Sequence, residues 1–214
     1  MQIVAGELVW RPPPARVPAQ SQGYGRVDLS KSLPLDGGLA FNLTVWDGAN
    51  AAVGDGESFQ VCLRVLESGG DVRVTVAWTD PPAVQFAGRA LVNDLDLTVT
   101  SSTTGSYWTG NTPLAYNSLT GFVPVHDRLN NVEQVTVPAA AAGDVVAVQV
   151  YGASVPLAPQ AFAMVVTGSH AVIENSACAE LSSACPGGCS GNGECLDGRC
   201  HCSPLLVRTG LWAS

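Results

Sequence analysis

Asp94 and Asp96 stand two positions apart in Leu91-Val-Asn-Asp-Leu-Asp-Leu-Thr-Val-Thr100. Read with a period of two, Leu91, Leu95, Leu97 and Val99 share one face, and both carboxylates project from the other. At about 3.3 Å per residue they lie roughly 6–7 Å apart. Such a pair repels unless a cation or hydrogen-bond donors come between its members. More hard oxygen donors of the kind calcium takes follow in His126-Asp-Arg-Leu-Asn-Asn-Val-Glu133: Asp127, Asn130 and Glu133. The expectation is a calcium ion held by Asp94, Asp96, Asp127, Asn130 and Glu133. The alternative is two solvated acids and a loop whose Asx side chains cap their own backbone.

The elements that must position these residues read as β. Eight stretches have strand character: 39–46, 58–66, 72–78, 91–100, 106–108, 132–137, 145–151 and 162–167. Turn formers such as Asp47-Gly48, Gly54-Asp55-Gly56 and Gly143-Asp144 separate them, and no 3.6-residue pattern intervenes. This predicts a mainly β fold, an eight-stranded jelly-roll β-sandwich over residues 36–170. The strand at 91–100 is expected to be half-buried, and that at 72–78 central. Residues 110–131 form the longest loop, of a length that is usually functional or pinned. Residues 1–35 and 171–184 read as linker, and 185–214 as a small cysteine-rich module.

Composition narrows the function. Formal net charge is −8 with a single lysine, Lys31, so no basic patch recommends nucleic acid or an anionic membrane. No apolar run reaches the roughly 20 residues of a membrane span. Five of the seven cysteines crowd between Cys185 and Cys202, a density suited to an oxidising, extracellular compartment. Yet residues 1–10 do not read as a signal peptide. The expectation is an amino-terminally incomplete piece of a longer secreted protein. Asn42-Leu-Thr44 is a glycosylation sequon. Cys62 reads as a buried thiol, Trp46 and Trp78 as core, and Tyr107 with Trp108 as an aromatic pair near a turn, able to stack on sugars.

The run Cys185-Pro-Gly-Gly-Cys-Ser-Gly-Asn-Gly-Glu-Cys-Leu-Asp-Gly-Arg-Cys-His-Cys202 resembles an epidermal-growth-factor-like (EGF-like) repeat of the tenascin type. That resemblance implies Cys185–Cys195 and Cys189–Cys200 disulfides. The family's sixth cysteine is missing, which leaves Cys202 without a partner unless Cys178 substitutes.

A second resemblance covers residues 20–168. Gln22-Gly-Tyr-Gly-Arg-Val-Asp-Leu29 is similar to the segment near the end of the catalytic domain of subtilisin-like serine proteases. Val76-Ala-Trp-Thr-Asp-Pro-Pro82, Ala90-Leu-Val-Asn-Asp-Leu-Asp-Leu97, Arg128-Leu-Asn-Asn-Val-Glu133, Val150-Tyr-Gly-Ala-Ser-Val-Pro156 and Pro159-Gln-Ala-Phe162 resemble the jelly roll that some large members carry after it. The family needs an Asp, a His and a Ser from three motifs, and none of these motifs occurs here. The resemblance therefore implies a non-catalytic carboxyl-terminal portion whose partner is its own subtilisin-like catalytic domain. None of His126, His170 and His201 lies near a Gly-x-Ser-x-Gly turn, so no hydrolysis by this chain alone is expected. The competing expectation is an extracellular adhesion protein that binds proteins or glycans without enzymatic chemistry.

Overall fold

The structure, a computed structural model, describes residues 2–4, 7–9, 24, 42–112, 126–178, 193–196 and 199–202. Two short hairpins lie near the chain ends: β1 (Gln2–Val4) pairs with β2 (Glu7–Val9), and β13 (Gly193–Leu196) with β14 (Arg199–Cys202). Between them in sequence are β3 (Asn42–Trp46), β4 (Ala52–Val53), β5 (Ser58–Val65), β6 (Val72–Trp78), β7 (Asp94–Ser101), β8 (Tyr107–Thr109), β9 (Val132–Val137), β10 (Val145–Ser154), β11 (Gln160–Gly168) and β12 (His170–Ile173).

These form two antiparallel sheets, ordered β12-β5-β10-β7-β8 and β3-β11-β6-β9, with β4 also on β11. Without β12 and β4 the orders are β5-β10-β7-β8 and β3-β11-β6-β9, the eight strands of a jelly roll. All eight expected strands are present, and β6 is interior to its sheet.

Alternation drives the packing. Val61, Leu63 and Val65 of β5, Leu95, Leu97 and Val99 of β7, and Val146, Val148 and Val150 of β10 face Val72, Val74, Val76 and Trp78 of β6 and Phe162, Met164 and Val166 of β11 in one core. Burying each such side chain contributes about 1.5–3 kcal/mol relative to leaving it in water. Phe59 and Phe162 meet edge-on across the two sheets, centroids 5.4 Å apart.

Three expectations change. β7 is buried on both faces rather than half-buried: Asp94, Asp96 and Thr98 are covered as well as Leu95, Leu97 and Val99. The stretch expected as linker after residue 170 begins with β12, which extends the first sheet, and a 3-10 turn at Asn175–Cys178. Cys62 is not a free thiol but is disulfide-bonded to Cys178, 116 residues on. That bond takes Cys178 away from Cys202. It staples the 3-10 turn over the outer face of β5 and β10, where Ala147, Val145 and Ile173 complete a small second cluster.

The crossing from β11 to β12 needs glycine at Gly168. Its φ is +126°, and a Cβ there would lie 2.6 Å from the Asp71 carbonyl oxygen.

Candidate functional site

One end of the sandwich carries the long connections 47–57 and 79–93, together with residues 110–112, 126–131 and 155–159. The residues singled out in the sequence gather at this loop end. Asp80, just after β6, uses both carboxylate oxygens to accept the Val92 and Asn93 backbone N–H groups, at 2.8 and 2.7 Å. This sets the entry into β7. Asn93 is fully buried and acts as a hub. Its Nδ2 donates to the Leu157 carbonyl at 3.0 Å and to Gln160 Oε1 at 2.8 Å, and its Oδ1 accepts from Leu157 N–H. Its carbonyl accepts from the Trp78 indole N–H at 3.0 Å. Gln160 in turn donates to the Thr79 carbonyl, and Asn131 exchanges two hydrogen bonds with the Trp78 backbone. Three connections distant in sequence are thus bound together, through the buried amides of Asn93 and Gln160 and through Asn131.

The outer face of β7 lies beside this hub. Arg128 donates from Nη1 to Asp94 Oδ2 at 3.0 Å and to Asp96 Oδ1 at 2.7 Å. Arg89 approaches Asp94 Oδ2 at 3.5 Å. The counter-charge that two parallel carboxylates demand is therefore a guanidinium. Asp96 is nonetheless pushed up to about 6: burial outweighs the attraction of Arg128, and Asp94 adds repulsion. His126 Nδ1 lies 3.4 Å from Asp96 Oδ2 without completing a hydrogen bond. Burial, assisted by Arg128, pushes the imidazole down to about 4. At neutral pH the pair is therefore a neutral imidazole beside a carboxylate.

Asp127 faces another way. Its carboxylate caps its own turn, accepting from Leu129 N–H, Asn130 N–H and Asn130 Nδ2, and also from Asn111 Nδ2. Burial works to raise this acid, but the bonds from Asn130, Asn111 and the backbone win and it is lowered. Glu133 alternates inward on β9, between the sheets. Its Oε2 accepts from Leu97 N–H at 2.6 Å, and burial pushes it well above the usual carboxylate range. The chain can pass over this carboxylate only at Gly110, where a Cβ would come within 2.2 Å of Glu133 Oε2.

The five residues expected to hold calcium are not arranged as one ligand group here. Arg128 fills the space between Asp94 and Asp96, Asp127 and Asn130 are spent on each other, and Glu133 lies inside the core. Among the described residues no group of three or more His, Cys, Asp or Glu side chains is arranged to hold a metal.

Tyr24 reaches the same end. Its hydroxyl lies 2.6 Å from the Val132 carbonyl and 3.0 Å from Asn111 Oδ1. Burial, against the Asn111 bond, pushes it up to about 12, so it stays a neutral donor.

The remaining expectations divide. Trp46 is partly buried against the core and Trp78 is within it. Trp108 is 8% exposed, a core side chain, so with Tyr107 it offers no surface platform for sugars. Asn42 is exposed on the edge strand β3, with its amide donating to the His170 carbonyl and Thr44 Oγ1 bonded to His170 Nε2. β13 and β14 set Cys195 opposite Cys200 in register. Cys185 and Cys189 lie outside the described residues.

Sequence reasoning missed Arg128, Arg89, Asn93 and Asp80. Arg128 had a signal, since an unpaired cation stood within the very segment proposed as ligands. Asn93 had none, because an amide hub is defined by who arrives around it.

The fold and site define an antiparallel β-sandwich with one end locked by buried polar bonds. No family model matches the chain. It is similar to proteins of Dictyostelium discoideum named serine protease/ABC transporter B family protein. It is 28% identical to tagA over 167 residues, 75% of this chain and 9% of that protein. Identity to tagD is 33% over 109 residues, 48% and 6%, and to tagB 30% over 137 residues, 64% and 6%. The chain spans less than a tenth of the length of each of these relatives.

Proposed function

We propose that this chain is the non-catalytic carboxyl-terminal portion of a secreted subtilisin-like serine endopeptidase. The parent reaction would be peptide-bond hydrolysis through an acyl-serine intermediate. The sandwich's part would be to support the catalytic body from which the residues around Tyr24 arrive. The carrying observation is convergence: the segments similar to the protease-borne jelly roll supply Asp80, Asn93, Arg128, Asn131 and Gln160 to one end of the fold. Tyr24, from the segment similar to the end of a catalytic domain, bonds to that same end. Three relatives with serine protease in their names agree in direction.

Secretion is supported by the Cys62–Cys178 disulfide. No helix among the described residues is long and apolar enough to cross a membrane. Disulfides Cys185–Cys195 and Cys189–Cys200, closing an EGF-like module, and a glycan on Asn42 belong to the same proposal. Peptide mapping without reduction tests the first, and a mobility shift on enzymatic deglycosylation tests the second.

The decisive experiment is to sequence the transcript upstream of Met1. An in-frame Gly-Thr-Ser-Met-Ala segment, preceded by Asp and His motifs, is expected. An in-frame upstream region of any other kind would remove the protease assignment.

A further inference from the structure

The other end of the sandwich holds a cavity. There the β9–β10 connection reads Pro138-Ala-Ala-Ala-Ala-Gly143, and methyl side chains do not reach across to β8. The space left is about 540 Å³, lined by Ser101, Thr104, Ser106, Trp108, Ala140 and Asp144 among others. Small-molecule sites occupy roughly 300–1,000 Å³.

Size alone would make this a water-filled gap, but its polar lining is unevenly spent. Asp144 accepts from the Ser101 hydroxyl at 2.6 Å, the Ser102 hydroxyl at 2.9 Å and Thr103 N–H at 2.9 Å. Thr104 donates to Ser101 and accepts from Ser106 N–H. By contrast the Ser106 hydroxyl and the Trp108 indole N–H have no hydrogen-bond partner among the described residues, and neither atom is among the fully buried ones left unpartnered, so both remain accessible from the cavity they line. The cavity thus offers two unpartnered donors in a wall that combines the apolar Val137–Ala141 stretch with Ser101, Thr104, Thr136 and Asp144.

Charge excludes the other ligand classes. Among the described residues no Lys, Arg or His lines the cavity to receive an anion. The single carboxylate, Asp144, is already saturated by its neighbours and offers a cation little.

We propose that this cavity binds a small neutral molecule with an apolar body and one or two acceptor oxygens, taken by Ser106 and Trp108. The site is independent of the protease reading, since it lies at the end away from Tyr24 and the Asn93 hub.

The test is a titration of the 15N-labelled full chain with N-cyclohexylacetamide, followed at the tryptophan indole N–H signals. Trp108→Phe identifies the relevant one of the five. A probe of this size should bind with a Kd of about 1 mM. The Trp108 signal should shift saturably, and Ser106→Ala should weaken binding about three- to tenfold. Cyclohexylammonium and cyclohexanecarboxylate should bind at least about tenfold more weakly, since each would leave a desolvated charge unpaired. Ala140→Leu, which fills the space, should abolish the shift. The proposal is overturned by a signal that does not saturate, by equal binding of either charged probe, or by full affinity in a folded Ala140→Leu protein. Should Ala140→Leu fail to fold, unchanged affinity in Ser106→Ala overturns it equally.

Discussion

The two ends of the sandwich handle buried carboxylates in opposite ways. At the turn end, connections are short, and Asp144 is met by two hydroxyls and a backbone N–H. Burial works to raise that acid, but the bonds from Ser101, Thr103 and Ser102 prevail and it is lowered. At the loop end Asp96 and Glu133 are raised, and Asp94 Oδ1 and Glu133 Oε1 are buried without a partner among the described residues. The same functional group is comfortable at one end and costly at the other. The donors to Asp144 all come from one short stretch, Ser101–Thr103, which packs beside its turn although it lies 41–43 residues away in sequence. At the loop end the partners arrive singly from separate connections: Arg128 lies 34 residues from Asp94, Leu157 64 from Asn93, and Val132 108 from Tyr24. Incompletely satisfied charge of this kind is tolerated where a surface does work, which marks the loop end as the candidate working surface.

That contrast can be broken most directly at Asn93. Asn93→Ala would strand the Leu157 N–H and carbonyl and Gln160 Oε1 in the interior, and should cost about 3 kcal/mol in urea denaturation. Its turn-end counterpart, Ser102→Ala, leaves Asp144 with two donors and should cost about 1 kcal/mol. Equal losses would dissolve the distinction between the ends.

Arg128→Ala comes next. It leaves Asp94 and Asp96 side by side without their main counter-charge and should cost about 2 kcal/mol, the guanidinium's partial exposure reducing a fully buried value. Arg128→Ala with Asp96→Asn should recover part of this loss in a double-mutant cycle. Strictly additive losses would mean that the contact carries no coupling.

Smaller effects should appear in the pH dependence. Asp96 moves from 3.8 up to about 6. Between about 4 and 6 the folded chain therefore keeps a proton that the unfolded chain has shed, and stability falls as pH rises. His126 moves from 6.5 down to about 4. Between about 4 and 6.5 the unfolded chain holds the extra proton, and stability rises with pH. In the natural sequence the two slopes oppose each other. Relative to it, Asp96→Asn should gain stability between pH 4 and 6.5, and His126→Gln should lose it between pH 4 and 6, each by about 1 kcal/mol after screening. Denaturation at several pH values reads this out, and slopes of the same sign in both variants would contradict the assignment.

The smallest expected effect is that of calcium. With Arg128 between the carboxylates, excess calcium or a chelator should leave the thermal midpoint of the chain unchanged. A rise of several degrees, lost in Asp94→Asn with Asp96→Asn, would restore the ion.

The strands were legible in the sequence because their signal is local. Val72-Arg-Val-Thr-Val-Ala-Trp78 buries alternate residues whatever lies opposite, and it became an interior strand as its pattern predicts. β12 was not legible, because His170-Ala-Val-Ile173 is short and becomes a strand only through β5 beside it. The Asp94–Asp96 pair was visible as a charge problem, but its counter-ion was not, since a period of two says nothing about a loop 32 residues away.

By itself the sequence determined the sandwich, its core and the need for positive charge beside β7, because alternation, turn chemistry and Coulomb repulsion act over a few residues. Only the tertiary structure decided that Arg128 supplies that charge, that Asn93 ties the loop end together, and that Cys62 joins Cys178. Each of these is a meeting between distant segments, fixed by where the two sheets close on one another.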